Sequence, residues 1–433
     1  MNKTHRDVGL VRVVGTWALA ANIISMVIGA GIFAVPAALA ASIGPAAPIA
    51  FLACGVGVGA VAICFAEGGS RVPTSGGVYA SIEAAFGPLA GYVAGTLLWV
   101  GCLLACAGVT AALADVIASV LPPSYAATVR AMTIVGTIGT IAMVNIAGIQ
   151  RGAQLVGATT VLKLLPLAVF IAVGIGAAHL GNFSQSIQYD TRGLDRALIL
   201  ALFAFVGMES SLCASGEVRE PNRTIPRALG IAMLTTIVIY VAVQIVAQGI
   251  LGTALAGSKA PLADSMAQIH PALRALMIVG AAVSMFGWLG SDILGSPRQL
   301  FAFARDGLLP GVLGRVHPRT HAPHVAIFSY SGLAIVLALT GTFAELAAIS
   351  ALAIAALYAG GCVAAWALAR RGVALSGPPL NFRFLGTATV VGVGSMLLLI
   401  VMGSHQEILG LLALIAVSML VYLVQTRSVP VRQ

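Results

Sequence analysis

The sequence predicts an all-α polytopic membrane protein of about twelve spans, and three observations carry that prediction. Of the 433 residues, 59% are hydrophobic and only 9% are charged, whereas soluble domains carry about 25% charged residues. Mostly apolar stretches recur along the whole chain, each close to the roughly 20 residues that a helix needs to cross a bilayer core of about 30 Å. None alternates with the period of two that marks the strands of a transmembrane barrel.

In chain order the expected spans are 15–42, 44–66, 87–120, 129–147, 152–178, 196–215, 226–252, 275–302, 324–342, 344–369, 384–402 and 406–425. The first follows a polar, basic start (Lys3, Arg6, Arg12). It is too long and too interrupted by glycine to be a signal peptide, and further spans follow at once. The longest polar connections fall at 68–77, 181–195, 217–226, 252–271 and 310–323, so residues 1–433 read as one integral membrane domain.

The six cysteines (Cys54, Cys64, Cys102, Cys106, Cys213, Cys362) lie inside apolar runs, where they read as packing residues rather than disulfides. The seven histidines fall in expected loops or at span ends, so neither a buried metal cluster nor a cofactor is implied. A net charge of +9 could suggest nucleic acid, but the charges sort by side. With the N-terminus cytoplasmic, 17 Lys and Arg lie on that side and 5 on the other, and Lys163 is inside a span. The positive-inside rule then places both termini in the cytoplasm of a cell whose inner membrane holds the protein. The basic balance reports topology; the expected partners are the lipid bilayer and a small molecule, and no protein partner is indicated.

Two spans are expected to be broken at mid-membrane. Span 1 contains Ile28–Gly29–Ala30–Gly31–Ile32–Phe33 with Pro36 beyond it, and span 6 contains Phe203–Ala204–Phe205–Val206–Gly207–Met208–Glu209. The two run in opposite directions, five spans apart. That is the pattern of an inverted five-plus-five repeat whose unwound segments hold a ligand. Gly-x-Gly can also serve close helix packing alone; matching positions in opposed spans favour the breaks. The repeats would be 1–180 (spans 1–5) and 190–372 (spans 6–10), with spans 11 and 12 in 380–426.

These residues carry a resemblance to a known family. The Ile28–Phe33 run resembles the Gly-small-Gly-Ile-Phe motif of the amino acid/polyamine/organocation superfamily. Phe65–Ala66–Glu67 with Val72–Tyr79 and Ala85–Phe86–Gly87 resembles its signature after span 2, and Phe205–Glu209 with Glu217–Arg227 resembles its span 6 and following loop. Ser296–Pro297–Arg298 with Ala304–Pro310 resembles the end of its span 8. The four matches cover spans 1 to 8 in order.

The resemblance implies the LeuT-like fold. It also implies that a substrate α-carboxylate meets the amides of Gly29, Ala30 and Gly31, at a helix N-terminus whose unpaired N–H groups favour anions. The α-ammonium would meet the carbonyls of Val27, Phe203 and Val206 beside Gly207, with Phe203 and Trp288 as an aromatic lid. A distal pocket would be lined by Gly101, Cys102, Cys106 and Ser350, small uncharged groups that suit a neutral side chain. Gly31→Val is then expected to abolish binding while leaving the fold intact.

Lys163 lies 12 residues beyond Arg151, about 18 Å along a helix, too deep to snorkel out of the bilayer. A cation there costs about 2.5–3.5 kcal/mol, so it is expected to face protein and have a partner, or to be deprotonated. Asp292 in span 8 is the expected partner, with Ser291 beside it. By resemblance Lys163 matches the span 5 lysine of sodium-independent relatives, whose ammonium stands where sodium sits in coupled ones; a purely structural ion pair is the other reading. Glu209 reads either as a gate carboxylate or as an acid tying the broken helix to its neighbours. In arginine-exchanging relatives two tyrosines flank it; here Tyr358 matches one, and Leu98 stands at the other position.

The expected function is secondary transport of an amino acid, with a neutral side chain, by sodium-independent exchange or with protons. The alternatives are a polyamine or amine permease of the same fold and a sodium symporter, which Lys163 opposes. No nucleophile motif or metal set joins Lys163, Asp292 and Glu209, so an enzyme is not expected. No ATP-binding loop is present, so gradients or exchange supply the energy.

Overall fold

The computed structural model describes residues 12, 14–74, 76–118, 122–147, 149–184, 191–213, 215–305, 307–320, 322–375 and 377–428. Lys3, Arg6 and Arg432 of the charge count, and Asp306 and Ser75 of the motifs, lie outside them. The protein is an all-α polytopic membrane protein, and the one β contact among the described residues is an isolated bridge between Val14 and Val218.

Span 1 is two helices, Thr16–Val27 and Gly31–Ile43, and span 6 is likewise two, Thr191–Phe205 and Met208–Leu212. The other spans are Ala47–Arg71 (span 2), Pro88–Ala118 (3), Ala126–Ile146 (4), Ile149–Gly174 (5), Pro221–Leu251 (7), Pro271–Gly295 (8), His324–Thr340 (9), Phe343–Arg370 (10), Leu385–Val401 (11) and His405–Ser428 (12). A helix that is apolar all round must lie in protein or lipid, and both outcomes occur. Of the most apolar window of span 3, 89% is buried inside the protein, against 11% for span 12. Val390, Val401, Leu409 and Leu412 on spans 11 and 12 are exposed on the outer surface, where lipid satisfies them.

The packing follows the expected pseudo-symmetry. Span 3 lies along span 10, span 5 along span 8, span 2 along span 7, and the second half of span 1 along the first half of span 6. Numbering spans 6–10 as copies of 1–5 maps the 3–10 contact onto 8–5 and the 2–7 contact onto itself. Charged groups gather at two ends. Arg130 pairs with Asp115 at 3.1 Å and also donates to the carbonyl of Gly341; Arg196 pairs with Glu407 at 2.6 Å. Arg71 and Arg371 bond to the carbonyls of Val373 and Ala85 at the opposite end.

Three connections are more ordered than expected. Residues 68–71, read as loop, continue the span 2 helix because Arg71 reaches back one turn to a buried Glu67 at 2.7 Å. Val78–Phe86 and Pro261–Ala267 form short helices in stretches given none. Span 8 ends at Gly295 and a separate helix, Pro297–Arg305, follows, as expected where a proline supplies no N–H to continue the ladder.

Candidate functional site

The span 1 break is built from the backbone up. Val27 ends the first helix, and the Gly29 amide closes on the Val27 carbonyl at 2.9 Å, so it is not open to a ligand as expected. The second helix starts at Gly31, and the amides of Ala30, Gly31 and Ile32 donate to no backbone carbonyl among the described residues. They are the orphan donors of a helix N-terminus, and the set is shifted one residue along from the predicted Gly29–Gly31.

The span 6 break turns on Gly207. Its φ of +135° suits glycine, and a Cβ there would stand 2.5 Å from the Met26 carbonyl. Its amide donates to Glu209 Oε2 at 3.0 Å, so Gly207 seals the break against span 1 rather than facing a ligand. Phe203 accepts from the Val206 amide at 3.2 Å, whereas the Val206 carbonyl accepts nothing from the described backbone. Of the three carbonyls expected for an ammonium, Val206 is therefore the available one. Val27 is occupied twice, by the Gly29 amide and by the Tyr240 hydroxyl at 3.0 Å.

Tyr240 of span 7 is the residue that the sequence reading missed. Its buried hydroxyl lies 3.0 Å from the carbonyl of Val27 and 2.8 Å from that of Ala204, bridging both broken spans. A lone tyrosine in a mostly apolar span carries no signal in sequence, and only its neighbours give it a role. The Val27 carbonyl keeps the Gly29 amide, so Tyr240→Phe takes the hydroxyl donor from the Ala204 carbonyl, a loss of roughly 1–3 kcal/mol. A lowered melting temperature of the detergent-purified protein is expected; an unchanged one would show the hydroxyl to be idle.

The glycines and rings take different parts from those expected. A Cβ at Gly31 would lie 2.7 Å from Ala204 Cα, so Gly31 is where spans 1 and 6 touch backbone to backbone, and one at Gly29 would meet the Trp288 ring at 3.0 Å. The Trp288 indole donates to the Met26 carbonyl at 2.7 Å and so latches span 8 to span 1. Phe203 packs edge-on against Phe343 at the start of span 10, with ring centroids 5.7 Å apart. No ring contact joins Phe203 and Trp288 among the described residues. The distal pocket is closed in this conformation, because Ser350 donates to the Gly101 carbonyl at 2.8 Å and seals span 10 to span 3. Cys102 lies 3.8 Å from Ser210 of span 6.

Lys163 faces protein, as expected, but not its expected partner. Its ammonium donates to the Ser25 carbonyl of span 1, and no ion pair joins it to Asp292 among the described residues. Asp292 instead accepts from Tyr330 of span 9 at 2.5 Å and from Ser296 at 2.8 Å. Ser291 donates to its own helix at Gly287. Glu209 is buried and accepts from Tyr358 at 2.5 Å, while its second oxygen has no partner.

A cavity of about 650 Å³ opens toward the end of the protein that carries Arg71 and Arg371. Its walls include Asn22 and Met26 of span 1, Ser210 and Ser211 of span 6, and Ser291 and Asp292 of span 8. It therefore reaches the underside of both breaks from that end alone, while the Phe203–Phe343 pair and the Ser350–Gly101 bond close the other approach.

Paired helix breaks around an enclosed polar centre, in a bundle of apolar spans, define a membrane transporter rather than an enzyme. Residues 14–425 match the amino acid permease family, and the chain belongs to it, within the amino acid/polyamine/organocation superfamily. An uncharacterized transporter of Mycobacterium tuberculosis is 36% identical over 325 residues, covering 72% of this chain and 70% of the relative. The branched-chain amino acid permease BcaP of Bacillus subtilis is 27% identical over 354 residues, with 77% and 76% covered. The methylthioribose transporter of the same organism is 26% identical over 339 residues, with 75% and 74% covered.

Proposed function

We propose that the protein moves amino acids with neutral side chains across the inner membrane by sodium-independent exchange or proton coupling, through alternating access, with both termini cytoplasmic. The observation that carries this reading is the set of unpaired amides at Ala30, Gly31 and Ile32, facing a break whose Val206 carbonyl is also unpaired. Donors at a helix N-terminus suit a carboxylate, a carbonyl suits an ammonium, and a zwitterion needs both at once. The two repeats take residues 1–180 and 190–372, and spans 11 and 12 stand outside them in 380–426. The cavity then faces the cytoplasm, and the conformation is inward-open.

Sodium independence rests on Lys163, whose ammonium occupies a span 1 carbonyl at Ser25; a fixed cation there repels a second one. The neutral side-chain preference draws on the uncharged groups at Gly101, Cys102 and Ser350, and the name of the BcaP relative points the same way. The full chain in proteoliposomes, loaded with unlabelled leucine, is expected to take up labelled leucine equally in sodium and in choline. Leucine should be displaced by other neutral amino acids and not by an amine lacking the carboxylate. If methylthioribose or such an amine displaces it equally well, the carboxylate assignment fails; if choline stops uptake, the role given to Lys163 fails.

A further inference from the structure

Asp292 is the one carboxylate on the wall of the cavity that belongs to a membrane span, yet it is only 2% exposed. An ionised acid inside a span, without a cation, costs about 2.5–3.5 kcal/mol. Among the described residues, the groups that face it offer no fixed cation. Cys102 and Cys106 face it from span 3 and Tyr330 from span 9; Glu209 of span 6 lies beyond Cys102. Lys163 of span 5 is engaged at Ser25, and Arg298 of the next helix lines the cavity without pairing with it. Arg130 of span 4 is committed to Asp115 at the far end.

What does surround Asp292 is reversible. Tyr330 and Ser296 are hydroxyls, and a hydroxyl both donates and accepts. The same shell can hold the ionised acid by donating to it, or the neutral acid by accepting its proton. A lysine or arginine partner would lock the charged form instead. A second, independent feature of the cavity wall is an unsatisfied polar group: the Ser211 hydroxyl is 97% buried and has no partner. Water filling the cavity would stabilise the anion, and closing the cavity would remove that support and favour the neutral acid. One turn before Asp292 on the same helix, Trp288 holds the Met26 carbonyl beside the span 1 break, so its charge state acts on the element that must move.

We propose that Asp292 is the proton-carrying group of the transport cycle, loaded and unloaded through the cavity between spans 1, 6 and 8. The inference rests on the transport reading above, and its test separates the two. At one proton per substrate, a one-unit pH gradient supports about tenfold accumulation of leucine. In proteoliposomes the wild-type chain is expected to accumulate leucine under that gradient, and Asp292→Asn to lose the accumulation while counterflow at equal pH persists. Accumulation by Asp292→Asn equal to wild type overturns the proposal, as does parallel loss of accumulation and counterflow. Wild-type counterflow without any response to the gradient overturns it too, while leaving the transport reading standing.

A substrate-free measurement decides the matter if no amino acid is moved and the transport reading itself falls. Infrared difference spectra of the full chain between acid and alkaline buffer are expected to show a protonated-carboxyl band that Asp292→Asn deletes and Glu209→Gln keeps. A band unchanged in Asp292→Asn excludes Asp292 as the group that titrates.

Discussion

Glu67→Ala is expected to be among the most damaging single substitutions in the protein, although Glu67 is far from the proposed substrate. Glu67 is fully buried, and one of its oxygens takes the Arg71 guanidinium at 2.7 Å and the Asn381 amide at 3.2 Å. The other takes the Phe382 amide at 2.9 Å. Arg71 in turn donates to the Val373 carbonyl and to Asn381 Oδ1. The pair thus ties the connection between spans 10 and 11 to the end of span 2. Removing one member of a buried pair leaves the other charge uncompensated, at a cost of about 3–5 kcal/mol.

The readout is the yield of monodisperse protein on size exclusion and its melting temperature in detergent; both should fall sharply for Glu67→Ala and for Arg71→Ala. Replacing both residues by Met should lose less than either single change, since apolar groups of similar volume can replace such a pair. A double variant as damaged as the singles would show that the backbone amides of Asn381 and Phe382, rather than the charge, are what Glu67 secures.

Why Glu67 gained no role from sequence, while Lys163 and Glu209 did, is a matter of range. A span shows itself locally through apolar length, and so does a break through its glycines, so the bundle and both interruptions were legible. The family signature placed Tyr358 beside Glu209, and the 2.5 Å bond between them agrees. Partners across the bundle were not legible. The sequence pairs Lys163 with Asp292 because Asp292 lies mid-way through span 8 and the resemblance brings spans 5 and 8 to one site. In the structure the neighbour of Lys163 is a backbone carbonyl, which has no sequence signature, and the neighbour of Asp292 is one tyrosine among eight.

The contacts beside the two breaks share a pattern. Span 5 contacts span 1 just before its break through Lys163, and span 10 contacts span 6 just after its break through Tyr358. Each broken span is therefore held by the span four further along the chain. The contact of Gly31 with Ala204 was not legible for the related reason that a glycine spared for a ligand and a glycine spared for a neighbouring helix look alike in sequence.

Gly31→Val is accordingly expected to lose folded protein, not merely binding. The added Cβ would stand 2.7 Å from Ala204 Cα and 2.8 Å from Ala204 Cβ, a distance at which backbone has to move. Overpacking a fitted interface costs typically about 1–3 kcal/mol, and valine adds two methyls beyond that first clash. Gly29→Ala supplies the contrast. Its Cβ meets only the rim of the Trp288 ring, at 3.0 to 3.4 Å, and a side chain can shift where a backbone cannot. That shift would pull the indole from the Met26 carbonyl, so Gly29→Ala should fold with a normal elution profile and exchange leucine slowly. The pair of profiles, measured beside counterflow, separates packing from latching. If Gly31→Val elutes as wild type and lacks only transport, the missing Cβ makes room for the ligand rather than for span 6, and the contact with Ala204 is tolerant.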